Sequence, residues 1–343
     1  MDTMLAAVVD KNGALSVRAV PVPAFGPYQA LVKMRFGATC AGTDLRLMQK
    51  KHPYPVSYPA VLGHESVGRV IETGERVRSF HRGDLISRVG MPAMPEIGLG
   101  ICWGGFCEYG VATDWAAMEA DGVPRTEWER ARVQKWIPED VPEAAAPMII
   151  TWRETLSYAN RLGIERGRNV LIVGSGANAL AFVCHAVYAG ARVVTVGSAS
   201  RAEDMLRLGS ERNIDYHSEQ VALQLAEAYP NGVDYIIDAV GAPDDVNAAL
   251  PFLKEGGTIG VYGWHERQNY GINPFLAKKS FHIYANGYDE PETHDEVLRR
   301  IREGALDASV WYDICQPVPF KDIASAYEGL RAKKAYKYLI DLR

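Results

Sequence analysis

The hydrophobic positions in the first part of the chain follow the pattern of short strands. Apolar, largely β-branched runs at residues 6–9, 30–34 and 68–71 alternate with turns rich in Gly, Pro and Asp. No amphipathic helix of convincing length interrupts them over residues 1–110. This part of the chain is therefore predicted to be rich in β-structure.

The pattern changes at about Pro142. Helical periodicity then alternates with wholly apolar runs at residues 170–173, 193–196, 235–237 and 258–261. Strands that are apolar on both faces and separated by helices indicate a buried parallel sheet with right-handed crossovers.

Beyond Gly287 the pattern is mixed and ends in a predicted helix at 323–331 and a strand at 337–342. The simplest organisation is an α/β protein in which a doubly wound domain interrupts a β-rich domain. The predicted divisions are residues 1–150 with 288–343 for the β-rich domain, and 151–287 for the α/β domain.

Composition narrows the class of protein. A chain of 343 residues is long enough for two cores, and its net charge of -5 gives no basic surface for nucleic acid. No run approaches the ~20 apolar residues that span a bilayer, and the N-terminal residues are typical of a first strand rather than a signal peptide. Five cysteines with no disulfide spacing favour a reducing compartment. We expect a cytoplasmic enzyme that binds neither nucleic acid nor membrane.

A dinucleotide-binding motif follows the first apolar run of the second domain. Gly174, Gly176 and Ala179 form G-x-G-x-x-A between a strand and a helix. The first glycine permits a tight turn, the second lets the backbone approach a pyrophosphate, and the alanine allows close helix packing. Ser175 and Asn178, in the same turn, are further predicted cofactor contacts. The alternative, a glycine-rich turn of another α/β protein, is disfavoured by the strand and helix pattern around it.

The end of the next strand bears on the choice of cofactor. NAD enzymes usually carry an acidic residue there, which would repel a 2′-phosphate. This chain instead has Gly197, followed by Ser198 and Arg201 as donors. The sequence favours NADP over NAD, although Arg201 is equally typical of a solvated charge at a helix start.

Cys40 and His64 are candidate metal ligands. A thiolate and an imidazole suit zinc, and a catalytic zinc site needs three protein ligands and one open position. Taken alone, the two residues are more typical of a buried cysteine and a hydrogen-bonded histidine.

Their surroundings carry a family resemblance. The pair C-x-G-T-D, starting at Cys40, and G-H-E-x-x-G-x-V, around His64, resembles the zinc-dependent medium-chain dehydrogenase/reductase superfamily, especially its sorbitol-dehydrogenase-like members. The similarity runs nearly end to end. Further matching segments are Gly83-Asp84, Gly104 to Tyr109, Asp234 to Gly241, Gly256-Gly257 and Ala335 to Ile340.

The resemblance implies a GroES-like catalytic domain, a Rossmann domain and an active site in the cleft between them. It implies that Cys40 and His64 are zinc ligands, with Glu65 beside the metal or transiently on it. Thr43 matches the hydroxyl that passes the alcohol proton outward, and Thr155 matches a threonine at the nicotinamide face. The remaining cofactor contacts implied at the ends of later strands are Val240 and Tyr262.

The chain departs from the family pattern at three points. Ala41 is an extra residue in the cysteine motif. The third ligand position falls on Thr151, a poor zinc ligand, and the nearest carboxylate is Glu154, almost one helical turn of about 5.4 Å further on. Glu154 is therefore a predicted metal ligand, with a salt-bridged surface residue as the alternative. Arg46 replaces the proton-relay histidine and cannot act as a base, so protons would leave through Thr43 and water or cofactor ribose.

A second, structural zinc is not expected, because the segment 88–104 contains only Cys102. The predicted cofactors are thus one catalytic zinc and a nicotinamide dinucleotide.

The predicted reaction is hydride transfer between a secondary alcohol, of the polyol, sugar or cyclitol class, and NAD(P). Candidate aromatic contacts for such a substrate, each with core packing as the alternative, are Tyr54, Trp103, Trp152, Trp264 and Tyr288. Two alternatives stay open: a zinc-free NADPH-dependent quinone or enone reductase, and a non-catalytic NADPH-binding protein. The resemblance also suggests a homodimer or homotetramer.

Overall fold

The periodic segments of the sequence form the strands and helices of a computed structural model that describes residues 2–263, 265 and 269–343. The strands are β1 Thr3–Val9, β2 Leu15–Pro21, β3 Gln29–Ala38, β4 Ala60–Val61, β5 Glu65–Thr73, β6 Leu85–Ser87, β7 Gly100–Ile101, β8 Tyr109–Thr113, β9 Trp136–Ile137, β10 Asn169–Val173, β11 Arg192–Gly197, β12 Arg212–Asp215, β13 Val233–Asp238, β14 Leu253–Val261, β15 Phe281–Tyr284, β16 Val318–Pro319 and β17 Leu339–Asp341. The helices are α1 Asp44–Met48, α2 Trp115–Ala120, α3 Arg125–Trp128, α4 Met148–Leu162, α5 Ala177–Tyr188, α6 Ala202–Arg207, α7 Val221–Ala228, α8 Pro243–Ala249, α9 His294–Arg302 and α10 Ile323–Arg331.

The chain divides into two compact units. The first unit comprises Met1–Ile150 and Asp307–Arg343, and the second comprises Thr151–Leu306.

The first unit is built on two sheets. A four-stranded sheet has the order β2-β1-β4-β7, and a seven-stranded sheet has the order β16-β17-β3-β5-β6-β9, with β8 paired to β3. The alternating burial along β3 is what the apolar run at 30–34 predicts, since every second side chain faces the core. The β-rich prediction for this part of the chain is confirmed.

The second unit contains a six-stranded sheet in the order β12-β11-β10-β13-β14-β15. All of its pairings are parallel. Every residue of β10 is buried, as expected for a central strand covered on both faces. This is the doubly wound order in which a dinucleotide binds at the carboxyl ends of the strands, where the strand order reverses between β10 and β13. The predicted Rossmann fold is confirmed.

The return of the chain to the first unit differs from the prediction. The sequence placed it at residue 288, whereas in the structure it occurs at Asp307. The reason is a set of polar contacts that hold the intervening segment on α4. Arg153 forms a buried ion pair with Glu290, and Glu292 accepts hydrogen bonds from Ser157 at 2.5 Å and Arg161 at 2.8 Å.

Among the described residues, no helix combines the length and the apolar character that crossing a bilayer requires.

Candidate metal centre and dinucleotide site

The loop after β3 presents Cys40. Its backbone N–H donates to Oδ2 of Asp44 at 2.9 Å, and its carbonyl accepts from the Asp44 N–H at 2.9 Å. These reciprocal bonds close the turn that contains the additional Ala41. The extra residue is thus accommodated without releasing the half-buried thiol from its place.

His64 and Glu65 stand at the start of β5, and both are buried. One ring nitrogen of His64, Nδ1, lies 3.5 Å from Oδ1 of Asp44, while Nε2 lies 3.5 Å from Oε1 of Glu65. The ligand atoms of Cys40, His64 and Glu65 all lie within 4.8 Å of one another. The first unit therefore gathers a thiol, an imidazole and a carboxylate at one point.

Lys337, just before β17, contacts the same carboxylate. Its Nζ lies 2.6 and 2.5 Å from Oε1 and Oε2 of Glu65, and both side chains are almost wholly buried. Burial alone would raise the pKa of Glu65, but the charge of Lys337 and the contact with His64 lower it to about 2. Glu65 is consequently held as an anion beside His64.

Asp44 orients the imidazole from the other side. Its Oδ2 accepts a hydrogen bond from the buried hydroxyl of Tyr327 at 2.8 Å, which leaves Oδ1 facing His64. Neither that oxygen nor Nδ1 of His64 has a hydrogen-bond partner within the described residues. Burial tends to lower the pKa of His64, but Asp44, Cys40 and Glu65 together raise it well above its usual value.

This donor set fits a divalent zinc ion. Sulfur, nitrogen and carboxylate oxygen are the ligands zinc takes in catalytic sites, and a carboxylate such as Asp44 behind the ligating histidine is the usual support. Carboxylates lie 3.5 Å from the ring of His64 on both sides, so the pocket favours a positive charge, which a cation on the same donors supplies.

Two predicted catalytic residues lie on the adjoining turn. Thr43 precedes α1 and is half-buried, and its carbonyl accepts from the N–H of Leu47 at 3.0 Å. Arg46 lies within α1 and is also half-buried. Both residues therefore follow Cys40 within six residues of the chain, at the start of α1 and within it.

The candidates for the third ligand lie on α4. Thr151 and Glu154 belong to the second unit, and Oε2 of Glu154 accepts from the hydroxyl of Tyr262 at 3.4 Å. Among the described residues of the first unit, Glu65 joins Cys40 and His64 in one group of possible ligands.

The glycine motif forms the expected turn between β10 and α5. Gly174 has φ +125°, and a Cβ there would lie 2.8 Å from Cγ2 of Val240. Gly176 stands at the N-cap of α5 and Ala179 is buried against the sheet, whereas Asn178 is half-buried on the first turn. The turn therefore has the shape that the motif predicts, with Gly176 exposed at the N-terminus of the helix.

Ser175 links this turn to the end of β11. A Cβ on Gly197 would lie 2.7 Å from Cβ of Ser175, and the backbone N–H of Ser198 donates to Oγ of Ser175 at 3.0 Å. The hydroxyls of Ser198 and Ser200 are 2.9 Å apart. Arg201 ends the following 3-10 turn, and its N–H donates to the carbonyl of Ser198 at 3.0 Å.

Asp238, at the end of β13, is a site residue that the sequence analysis did not single out. It is fully buried, and its Oδ1 accepts from the backbone N–H groups of Val240 at 2.9 Å and Gly241 at 2.7 Å. Its Oδ2 accepts from the hydroxyl of Tyr270 at 2.7 Å. The carbonyl of Asp238 also accepts from the N–H of Tyr262 at 3.0 Å. Asp238 therefore holds the backbone of both Val240 and Tyr262, the cofactor contacts predicted at the carboxyl ends of the strands.

Thr155, predicted at the nicotinamide face, is fully buried. Its hydroxyl lies 2.7 Å from the carbonyl of Thr151 and 3.0 Å from Nε2 of His185. The structure thus directs this hydroxyl into the interior of the second unit.

The aromatic residues predicted to contact the substrate differ in how far they are exposed to solvent. Tyr54 and Trp103 are 52% and 43% exposed, whereas Trp152 is fully buried, which favours core packing for the last. The ring of Tyr288 lies 6.0 Å from that of Tyr262. Trp264 lies outside the described residues.

Two family models match the chain. Residues 173–303 match a zinc-binding dehydrogenase, and residues 26–122 match an alcohol dehydrogenase GroES-like domain. Alcohol dehydrogenase 1 of Emericella nidulans is 30% identical over 267 residues, which cover 74% of this chain and 73% of the relative.

Two further similarities cover almost the full length. L-galactonate-5-dehydrogenase of Escherichia coli is 26% identical over 319 residues, which cover 91% of this chain and 90% of the relative. The crystal structure of a putative zinc-binding dehydrogenase from Sinorhizobium meliloti, bound to NADP, has a TM-score of 0.80 and 23% identity, and the match covers 99% of this chain and all of that one. The latter similarity shows a shared fold.

Proposed function

Because the chain belongs to the zinc-dependent medium-chain dehydrogenase/reductase family, whose members are NAD(P)-dependent dehydrogenases acting on CH–OH groups, we propose a specific reaction for it. The enzyme transfers hydride between a secondary alcohol of the polyol, sugar or cyclitol class and NADP, and uses one catalytic zinc. The observation that carries this proposal is the cluster of Cys40, His64 and Glu65. The same cluster argues against the zinc-free quinone or enone reductase, which has no use for these donors.

Cys40, His64 and Glu65 would hold the metal, with Glu154 as the other proposed ligand. A bound zinc ion supplies Lewis-acid polarisation of the substrate oxygen. Oδ1 of Asp44 lies 3.5 Å from Nδ1 of His64, and this carboxylate would orient the ring so that Nε2 is directed towards the centre. Lys337 balances the charge of Glu65 and fixes its position.

The substrate proton would leave through Thr43. Its hydroxyl follows the cysteine loop by three residues, and Arg46 cannot accept a proton near neutral pH because its guanidinium stays charged. Water or a ribose hydroxyl of the cofactor would take the proton onward from Thr43.

Ser198 and Arg201 support the preference for NADP. A side chain at Gly197 would collide with Ser175 of the glycine turn, and no acidic side chain occurs in the segment 197–201. Replacing Arg201 with Ala should weaken NADPH binding by roughly tenfold to a hundredfold, because a charge-assisted hydrogen bond contributes about 1.5–3 kcal/mol, and should leave NADH binding unchanged. Equal losses for the two cofactors would contradict this assignment.

The substrate class is supported by the relative that acts on L-galactonate, a polyhydroxylated acid. The test is a panel of polyols, sugars, sugar acids and cyclitols with both cofactors, followed by the absorbance of the reduced nicotinamide. We expect turnover with at least one secondary alcohol, and none in the Cys40→Ser, His64→Ala double variant. Turnover of quinones or enones alone, undiminished in that variant, would refute the proposal.

We also propose that the enzyme is a cytoplasmic homo-oligomer. All five cysteines are free, which suits a reducing compartment. Strand β15 is the edge of the six-stranded sheet, and Ile283 on it is 54% exposed, while Phe275 nearby is 95% exposed. An exposed apolar edge of this kind suits pairing with a second copy of the chain. Light scattering should give a dimer or tetramer, and Ile283→Lys should shift it towards a monomer.

A further inference from the structure

A buried histidine joins helices α4, α5 and α9 within the second unit. His185, on α5, is 2% exposed and has a hydrogen-bonding neighbour at each ring nitrogen. Its Nδ1 lies 3.2 Å from a guanidinium nitrogen of Arg300 on α9, and its Nε2 lies 3.0 Å from the hydroxyl oxygen of Thr155 on α4. The dehydrogenase mechanism proposed above assigns no role to this residue.

The chemistry of Arg300 fixes the tautomer of His185. A guanidinium only donates hydrogen bonds, so Nδ1 must accept and the single ring proton must lie on Nε2. That proton then faces Oγ1 of Thr155 and also the backbone carbonyl of Trp152, both of which lie on the same turn of α4. Burial together with the charge of Arg300 lowers the pKa of His185 well below its usual value, so the ring is neutral at physiological pH.

The hydrogen-bond chain continues into the backbone of α4. The hydroxyl oxygen of Thr155 accepts a hydrogen bond from His185, and the hydroxyl proton is donated to the carbonyl of Thr151 at 2.7 Å. At the other end, Nε of Arg300 donates to Oε1 of Glu296 at 3.1 Å, and its guanidinium carbon lies 4.2 Å from the ring centroid of Tyr188. Between Arg300 and the first turns of α4, each hydrogen bond is therefore donated in the same direction, although Arg300 itself also donates to Glu296.

We propose that His185 is a positioning residue, which as the neutral Nε2–H tautomer fixes the hydroxyl of Thr155 and with it the turn of α4 that carries Glu154. The proposal deepens the proposed function in one respect, because it takes that turn to adjoin the reacting groups. Its structural part, the directed chain from Arg300 to Thr151, stands independently of any activity.

A second buried hydrogen bond offers a control away from α4. Tyr229 is 1% exposed in the same unit, and its hydroxyl lies 3.0 Å from the carbonyl oxygens of Val170 and Arg192, which belong to β10 and β11. Loss of either side chain's hydrogen bonds should lower stability, whereas only loss of His185 should alter the α4 turn.

The first measurement is the tautomer itself. In protein labelled with ¹⁵N-histidine, and with His185→Gln used for assignment, we expect one neutral ring that keeps its proton on Nε2 throughout the physiological pH range. A proton on Nδ1, or a charged ring at neutral pH, would overturn the proposal. This experiment needs neither substrate nor metal, so it separates failure of this inference from failure of the proposed function.

The second measurement compares His185→Leu, His185→Gln and Tyr229→Phe. Glutamine offers a carbonyl to Arg300 and an amide to Thr155 at the spacing of the two ring nitrogens. In His185→Leu, hydrogen exchange of the amides at 151–155 should accelerate and kcat should fall roughly tenfold, since a small misplacement of reacting groups is costly, while the dinucleotide Kd changes less than about twofold. His185→Gln should restore both values. Equal behaviour of the leucine and glutamine variants, or the same loss of kcat in Tyr229→Phe, would contradict the positioning role.

Discussion

The buried pair of Lys337 and Glu65 allows the strongest stability prediction. Replacing Lys337 with Met removes the cation that contacts both carboxylate oxygens and leaves Glu65 charged in a buried site. Removing one partner of a buried pair costs about 3–5 kcal/mol. The pKa of Glu65, lowered by Lys337 and His64 together, agrees in sign with this stabilisation of the charged carboxylate.

The assay is thermal unfolding of chelator-treated protein at pH 7. At about 2–4 °C per kcal/mol for a unit of this size, 3 kcal/mol lowers the midpoint for the first unit by roughly 6–12 °C. Lys254→Met is the control: this lysine lies 2.8 Å from Asp234, but the pair is partly exposed and should contribute no more than about 1 kcal/mol.

The pH dependence of the unfolding midpoint supplies a second test, in which the direction of the change is predicted. Because the pKa of Glu65 is lowered in the folded protein, its contribution to stability is present above about pH 4.5 and is lost as the pH falls towards 2. The difference in unfolding midpoint between wild type and Lys337→Met should therefore become smaller as the pH is lowered from 7 to 3. The reasoning would be refuted if Lys337→Met had an unfolding midpoint no lower than that of Lys254→Met. It would also be refuted if the difference in midpoint between wild type and Lys337→Met increased at low pH.

Three further outcomes are expected. Cys40→Ser should abolish turnover. It should leave the dinucleotide Kd, measured by nicotinamide fluorescence, within about twofold of wild type, because the thiol and the glycine turn belong to different units. A loss of dinucleotide binding as large as the loss of turnover would contradict this. Asp238→Asn should raise the dinucleotide Kd by roughly tenfold, because an amide cannot accept from two backbone N–H groups and Tyr270 together, and titration calorimetry would detect it. Tyr270→Phe removes one of those three bonds, so it should raise the Kd less than Asp238→Asn does.

Much of the fold was predictable because its elements are encoded locally. The helix predicted at 323–331 is α10 Ile323–Arg331, and the apolar run at 193–196 lies within β11 Arg192–Gly197. In both cases a periodic pattern of apolar residues is bounded by turn residues, which fixes the element without reference to the remainder of the chain. The glycine turn at Gly174 was predictable for the same reason.

The parts that sequence reasoning missed depend on contacts between distant residues. Lys337 is 272 positions from Glu65, and Tyr327 is 283 positions from Asp44. Both lie in ordinary segments, a strand margin and a helix, and no local pattern marks them as partners of a metal centre. Lys337 falls within the segment 335–340, whose resemblance to the family does not by itself mark the lysine as a partner of Glu65.

The domain boundary illustrates the same limit. Residues 288–306 have a mixed pattern that suits either domain, and their place is decided by the buried pairing of Glu290 with Arg153. A glutamate and an arginine separated by this distance are read from sequence as surface charges, since such residues are seldom fully buried.

The central claim is that Cys40, His64 and Glu65 together hold a catalytic zinc ion. The most direct test is elemental mass spectrometry of protein purified without chelator, with dinucleotide binding checked in the same samples. The account predicts about one zinc per chain in the wild type and almost none in the Cys40→Ser, His64→Ala variant, with the Rossmann unit still able to bind NADPH. Zinc absent from wild-type protein grown with ample metal, or retained in full by the double variant, would contradict it.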